Sequence, residues 1–173
     1  MQQAAGEFAR DYNRRKHRSG AFWEGRYFAT MVDSGDYLWR CLRYVELNMV
    51  RCRVVGHPGQ WRWSGYGELM GIRTRNTMLD TAKLLWLMGT EDLVSWREQF
   101  KRGLEEAIAK GELQRQPPWT EALAVGSQAF VVGAEQKVRN RQQVEVVEEG
   151  GAWILREHYG STFGPKNRAI TAF

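Results

Sequence analysis

Tyr44 and Asn48 have side chains and a spacing that suit chemistry on a phosphodiester. Because they are four residues apart, they would lie one turn apart on one face of a helix. A phenol hydroxyl can attack phosphorus as a nucleophile, and an amide oxygen can bind a divalent metal ion. A tyrosine on an amphipathic surface helix gives the same pattern more often. Nearby arginines could neutralise the charge of a nucleic-acid backbone: Arg40, Arg43 and Arg51.

The element that must position this pair is a helix. Residues 36–53 contain neither proline nor glycine, so they are predicted to form one helix of about four to five turns. Asp33 and Ser34 are the residue types that cap helix N-termini, and they are predicted to cap this one. Apolar residues at three- and four-residue steps predict a buried stripe on it: Leu38, Cys41, Leu42, Val45 and Met49.

Charge is distributed unevenly over the 173 residues, whose formal net charge is +5. Residues 10–75 contain thirteen lysines and arginines against six acidic residues, a balance of +7, and the remaining residues sum to −2. A basic half with interleaved aromatic residues suits nucleic acid, since cations neutralise phosphates and rings stack on unpaired bases. A basic surface that merely keeps the protein in solution is the alternative.

Two features of this basic half are open to a DNA-binding interpretation. A cationic cluster follows a predicted helix over residues 1–15, and it is either a phosphate-contacting segment or a solvated helix end: Arg14, Arg15, Lys16 and Arg18. Trp61, Trp63 and Tyr66 form either a platform for stacking bases or a cover over the preceding helix, and the cover is the more common arrangement.

Residues 12–71 resemble the C-terminal part of REP-associated and related single-tyrosine transposases of the HUH superfamily. Six ordered blocks carry the resemblance: N-R-R-x-x-R-S-G, F-W-E-G-R-Y, D-S-x-x-Y-L, R-Y-V-E-L-N, H-P-G and W-S-G-Y. The resemblance implies that Tyr44 attacks DNA to form a 5′-phosphotyrosine bond and that Asn48 is the third ligand of a Mg²⁺ or Mn²⁺ ion. It implies single-stranded or hairpin DNA as partner, in a monomer or homodimer. The residues expected to contact DNA are all basic: Arg14, Arg15, Lys16, Arg18, Arg26, Arg40, Arg43 and Arg51.

The sequence departs from the family in its metal ligands. Members have a pair of histidines separated by one hydrophobic residue on a strand, whereas His17, His57 and His158 are far apart here. Asn48 alone would not hold Mg²⁺, so we expect this chain to bind no metal by itself. The chain is therefore expected to be a truncated or decayed copy that is inactive alone. Met49 replaces the family's proline after the asparagine, which is a mild departure.

The predicted fold class is α+β. Residues 1–71 are predicted to be a mostly helical fragment of a ferredoxin-like HUH domain. This fragment keeps the helix that carries Tyr44, predicted over residues 36–53 and called the tyrosine helix below, and lacks most of the sheet. A linker at 72–76 leads to a helical region over 77–143, with helices expected at 81–87, 91–112, 119–124 and 128–141. Ser127 is predicted to cap the last of these, in a helix-turn-helix or in plain packing. Residues 144–173 are predicted to form a β-hairpin and a tail.

The two cysteines point to a reducing compartment. Cys41 and Cys52 would be about 16 Å apart on one helix, which is too far for a disulfide. Together with the lack of a signal peptide or a long apolar run, unpaired thiols predict a cytoplasmic protein without membrane contact.

Three hypotheses remain at this point. The chain could be a transposase that cleaves and rejoins single-stranded DNA, a DNA-binding module without catalysis, or an inert remnant that folds poorly. The second predicts salt-dependent binding to hairpin DNA that is unchanged by Tyr44→Phe. The third predicts aggregation, because the apolar stripe of the tyrosine helix would be exposed.

Overall fold

The computed structural model describes residues 2–22, 29–75, 77–138 and 143–157. These residues form an α+β structure, as predicted. The helices are α1 (Gln2–Arg15), α2 (Asp36–Glu46), α3 (Asn48–Arg51), a 3-10 turn (Pro58–Gln60), α4 (Tyr66–Leu69), α5 (Thr81–Met88), α6 (Leu93–Ala109), α7 (Pro118–Glu121) and α8 (Gln128–Val138). The strands are β1 (Met31–Val32), β2 (Ala124–Gly126), β3 (Val144–Glu149) and β4 (Ala152–Glu157).

The predicted helix over residues 36–53 is divided at Leu47 into α2 and α3. In an unbroken helix the Tyr44 carbonyl would accept from the amide of Asn48. Here that carbonyl accepts a 3.3 Å hydrogen bond from Nη2 of Arg51. The prediction of a single helix was therefore wrong at this point, where the Arg51 side chain donates to the Tyr44 carbonyl.

The predicted capping of α2 by Asp33 or Ser34 was also wrong. Gly35 is the N-cap residue, at φ 62° and ψ −131°, and no side chain caps the helix. The positive φ explains the glycine, since other residues seldom adopt it. The carboxylate of Asp33 instead accepts hydrogen bonds from Ser127, at the start of α8.

One hydrophobic core lies among the helices. Its largest fully buried side chains are Phe100 and Leu104 of α6, and the ring of Trp96 stacks on Phe100 at 5.0 Å. Trp96, Phe100 and Leu104 recur at four-residue steps, which places them on one face of the helix. The tyrosine helix contributes Leu38, Trp39 and Leu42 to the same core. Val45 was assigned to the buried stripe, but its side chain is 56% exposed, so that assignment was wrong.

The four strands form one sheet of order β1-β2-β4-β3. The predicted hairpin is β3 and β4, which pair antiparallel from Val144 opposite Glu157 to Glu149 opposite Ala152. β2 was not predicted. It pairs antiparallel with β4 and parallel with β1. The sheet thus joins residues 31–32 to the C-terminal segments.

The two C-terminal helices differ in how well they match the sequence. α8 confirms the predicted helix over residues 128–138, and residues 139–141 of that prediction lie outside the described residues. The Ser127 hydroxyl caps α8 by accepting from the amide of Phe130 at 3.3 Å. Its buried residues Val131 and Ala134 share a core with Leu155 of β4, which is packing on the sheet. The helix predicted over 119–124 ends at Glu121, because the chain enters β2.

Candidate functional site

Arg51 brings the predicted site residues together. Its guanidinium lies 4.0 Å from the centroid of the Tyr44 ring, and its Nη1 donates to Oδ1 of Asn48 at 3.1 Å. Its Nε donates to the Leu113 carbonyl at 3.1 Å. Tyr44 and Arg51 are partly buried, whereas Asn48 is exposed. The cluster of Tyr44, Asn48 and Arg51 is called the tyrosine cluster below.

The broken helix is what positions the tyrosine cluster. Tyr44 lies in the last turn of α2, and Asn48 is the first residue of α3. The turn residue Leu47 separates the two helices. Leu47, at the break, and Val50 of α3 are both buried in the helical core, which anchors the break and the helix after it. Arg51 is one turn beyond Asn48, so its side chain folds back over the break and reaches both partners.

Asn48 is not arranged as a metal ligand. Its Oδ1, the atom that would bind a metal, accepts a hydrogen bond from a cationic guanidinium. A cation beside that oxygen disfavours a second one. Among the described residues no group of three or more histidine, cysteine, aspartate or glutamate side chains could hold a metal ion. The residues present therefore do not fit the divalent metal that the resemblance implies.

Two other arginines of the tyrosine helix make intramolecular contacts. Nη2 of Arg40 donates to the Gly150 carbonyl in the β3–β4 turn at 3.3 Å, and its guanidinium lies 5.9 Å from the Trp119 ring. Arg43 lies over the ring of Trp39 at 5.0 Å. These two guanidinium groups thus contact aromatic and carbonyl partners.

The remaining predicted DNA contacts lie at and after the end of α1. Arg14 pairs with Asp11 at 3.0 Å, and Nε of Arg15 donates to the Asp11 carbonyl at 3.4 Å. Lys16 and Arg18 follow the helix and are exposed. Arg26 lies outside the described residues.

A buried carboxylate on α2 was missed by sequence reasoning. Glu46 is buried on α2, where the backbone amides of Gly65 and Tyr66 favour the charged form of its carboxylate. Its Oε2 is buried without a hydrogen-bond partner. Burial raises the pKa of this carboxyl, although those amides and the charge of Arg73 act in the opposite direction. A glutamate two residues after Tyr44 gave no sequence signal, because its partners are a loop twenty residues away.

A second carboxylate supports the same loop. Glu68 accepts from the amides of Met78 and Leu79, each at 2.9 Å, and pairs with Arg73 at 2.7 Å. The two amides and the guanidinium outweigh burial and lower the pKa of Glu68. Nη2 of Arg73 also donates to the Ser64 carbonyl at 3.4 Å. Charge-assisted hydrogen bonds therefore link Glu68 and Arg73 to the backbone of Ser64, Met78 and Leu79.

The aromatic residues of this loop differ in exposure. Tyr66 is buried in the helical core and packs edge-on against His57 at 5.1 Å, which is the covering role. His57 precedes the 3-10 turn, and its Nδ1 accepts from the amide of Gly59. Trp63 is 69% exposed, and the Arg62 guanidinium lies 4.4 Å from its ring centroid.

No family model, curated protein or solved structure matches this chain. Cys41 and Cys52 are both unpaired, as their predicted separation requires. Within the described ranges, every helix is either too short or too polar to cross a membrane.

Proposed function

We propose that this chain is the tyrosine-helix part of a single-tyrosine transposase and that it binds single-stranded or hairpin DNA through its basic half. The observation that carries the proposal is the contact of Tyr44 with Arg51 and of Arg51 with Asn48. The residues to which the resemblance assigns attack and metal binding lie beside a cation on one side of the helix. The balance of +7 over residues 10–75 supports DNA as the ligand.

The proposed activity of this chain alone is binding without strand cleavage. Oδ1 of Asn48 is engaged by Arg51, and the sequence contains no closely spaced pair of histidines. The contacts to phosphate come first from Lys16 and Arg18, because both are exposed cations outside regular structure. Arg14 and Arg15, one turn earlier, would add to the same basic surface.

The test is the binding of a fluorescein-labelled DNA hairpin with a single-stranded flank, measured by anisotropy over a range of salt concentrations. We expect an affinity that falls linearly on a log–log plot as salt rises, because counterions are released from phosphates. Tyr44→Phe should leave this affinity unchanged, since the hydroxyl makes no contact on which binding depends. If the wild-type protein does not bind at low salt, the proposal is wrong.

Strand cleavage by Tyr44 is a second candidate, favoured by the partial exposure of its side chain beside a cation. In this reaction the phenol oxygen loses its proton and bonds to phosphorus, and the 3′ oxygen leaves and takes up a proton. It would need metal-binding histidines from a segment outside this sequence. The test adds a segment that carries such a pair and looks for a DNA adduct that resists detergent. Tyr44→Phe is the control that must abolish it.

The remaining elements of the proposal concern the fold and its setting. We assign the α+β structure to a fragment of the ferredoxin-like HUH fold, and we expect a cytoplasmic protein that acts as a monomer or homodimer. The parallel pairing of β1 with β2 shows that segments far apart in sequence share one sheet. A crystal structure in which the strand order differs from that of HUH domains would overturn the fold assignment.

A further inference from the structure

Trp63 is a large apolar side chain that the fold leaves in solvent. Its residue exposure is 69%, while the neighbouring Tyr66 is buried at 6%. The Arg62 guanidinium lies 4.4 Å from the ring centroid, in a cation–π contact with the Trp63 ring. An aromatic face next to a guanidinium is the combination that binds a nucleobase together with its phosphate.

The loop that carries Trp63 is held in place from both sides. Ser64 donates its hydroxyl to the Pro58 carbonyl at 3.1 Å, and its amide donates to the Trp61 carbonyl at 3.0 Å. Its own carbonyl accepts from Arg73. Two residues further on, Tyr66 is fixed in the core. Ordering Trp63 on binding therefore costs little conformational entropy, which favours a preformed binding surface.

Trp86 on α5 provides a comparison within the same chain. It is 68% exposed, and Nζ of Lys83 lies 3.7 Å from its ring centroid, so the two tryptophans match in exposure and in having a cation. They differ in the charge of their surroundings. Residues 51–75 hold five arginines against one acidic residue, whereas residues 77–113 hold five basic against seven acidic residues. A polyanion is attracted to the first segment and repelled by the second.

We propose that Trp63, with Arg62 beside it, is a stacking site for an unpaired base of single-stranded DNA. The inference rests on the proposed DNA-binding function and adds the position at which the strand leaves the duplex. Arg62 would neutralise the phosphate next to the stacked base. Trp86 is excluded from this role by the negative balance around it.

The experiment compares two labelled probes, a DNA hairpin with a single-stranded thymine flank and the same hairpin without the flank. Stacking of one base contributes about 1–3 kcal/mol, so Trp63→Ala should weaken binding of the flanked probe about 5- to 150-fold. It should leave binding of the unflanked probe unchanged. Trp63→Phe should retain most of the affinity, and Trp86→Ala, the matched control, should retain all of it. If Trp63→Ala alters thermal unfolding, Trp63→Leu takes its place with the same expectation.

The outcomes separate this inference from the proposed function. If the wild-type protein binds both probes and Trp63→Ala binds the flanked probe equally well, the stacking site is wrong and DNA binding stands. An equal loss on both probes contradicts stacking on the flank, because the ring would then contact the duplex or the hairpin loop that both probes share. If the wild-type protein binds neither probe, both proposals fall.

Discussion

The Ser127 hydroxyl donates a 2.7 Å hydrogen bond to Oδ2 of Asp33, ninety-four residues earlier in the chain. The Ser127 amide donates to the same oxygen at 3.0 Å, and the Ser34 amide donates to Oδ1 at 2.8 Å. Asp33 thus ties the loop before the tyrosine helix to the start of α8. Gly126 allows this approach, because a Cβ on it would lie 2.4 Å from the Asp33 Cβ.

Asp33→Ala is predicted to lower the free energy of unfolding by about 1–3 kcal/mol, since three donors lose a charged acceptor. Burial alone would raise the pKa of Asp33, but the hydrogen bonds from Ser127 and Ser34 outweigh it and lower that pKa. The stability that Asp33 contributes is therefore present above about pH 4 and lost as pH falls through its folded pKa. Urea unfolding between pH 2.5 and 7 should show a weaker acid dependence for the variant. The exposed Glu98→Ala should behave like wild type.

The free energy of unfolding of Glu46→Gln is predicted to increase relative to that of the wild-type protein as pH rises. Burial raises the pKa of Glu46, so the folded state holds its proton more tightly than the unfolded state. The wild-type protein is thus stabilised by this group at acid pH and loses that stability as pH rises above about 4.3 through the folded pKa. Glutamine keeps an oxygen for the amides of Gly65 and Tyr66 without the charge. Urea unfolding at pH 5 and pH 8 measures the difference, and an equal effect at both values would contradict it.

The pattern of neighbouring residues predicted the helices and strands that depend mainly on local sequence. Trp96, Phe100 and Leu104 recur at helical steps in α6, and all three are buried. Gly150 and Gly151, both at positive φ, form the turn that the hairpin prediction needs. β2 has only three residues, each buried, so it shows no alternation, and its pairing with β1 is a long-range contact. Such long-range contacts cannot be predicted from a short stretch of sequence.

Arg51→Ala is predicted to lower the free energy of unfolding by about 1–3 kcal/mol. The substitution removes hydrogen bonds from a cation to Oδ1 of Asn48 and to the carbonyls of Tyr44 and Leu113. The exposed Arg102→Ala is the matched control and should change stability by less than about 0.5 kcal/mol. Chemical denaturation measures both. A result for Arg51→Ala that equals the control would mean that these contacts add nothing to stability.

Replacing Lys16 and Arg18 together by alanine is predicted to reduce the salt dependence of hairpin-DNA binding. If each contacts one phosphate, the slope of log affinity against log salt falls in magnitude by about 1.4–1.8. Lys101 and Arg102, replaced together, are the control, since they are exposed cations in the segment of negative balance. Fluorescence anisotropy at four salt concentrations gives both slopes. An unchanged slope for the first variant would remove these residues from the DNA-binding surface.

The candidate site was predictable in its members but not in its contacts. The four-residue spacing of Tyr44 and Asn48 indicates that they share a face, and they do lie close in the structure. That Arg51 would occupy Oδ1 of Asn48 depends on the break at Leu47 and on the Leu113 carbonyl from the end of a distant segment. The buried Glu46 depends in the same way on a loop that meets α2 only in the folded protein.

Gly103 and Gly133 lie inside helices, and substitution by alanine is predicted to change stability in opposite directions. A Cβ on Gly103 of α6 would lie 2.7 Å from Cη2 of Trp39, a fixed core ring, so Gly103→Ala overpacks the core and should cost about 1–3 kcal/mol. A Cβ on Gly133 of α8 meets no atom within 4 Å. Gly133→Ala should therefore raise the free energy of unfolding by about 0.5–1 kcal/mol, because alanine favours a helix more than glycine does.

The two variants carry the same chemical change in the same kind of element, so they isolate the packing of α6 on the tyrosine helix. Thermal and urea unfolding of both, with circular dichroism as the readout, measures the pair. Pairing Gly103→Ala with Trp39→Phe should recover part of the loss, because the smaller ring leaves room for the methyl group. If Gly103→Ala were as stable as Gly133→Ala, α6 would not approach Trp39 as closely as the structure has it, and the core beneath the tyrosine cluster would be packed differently.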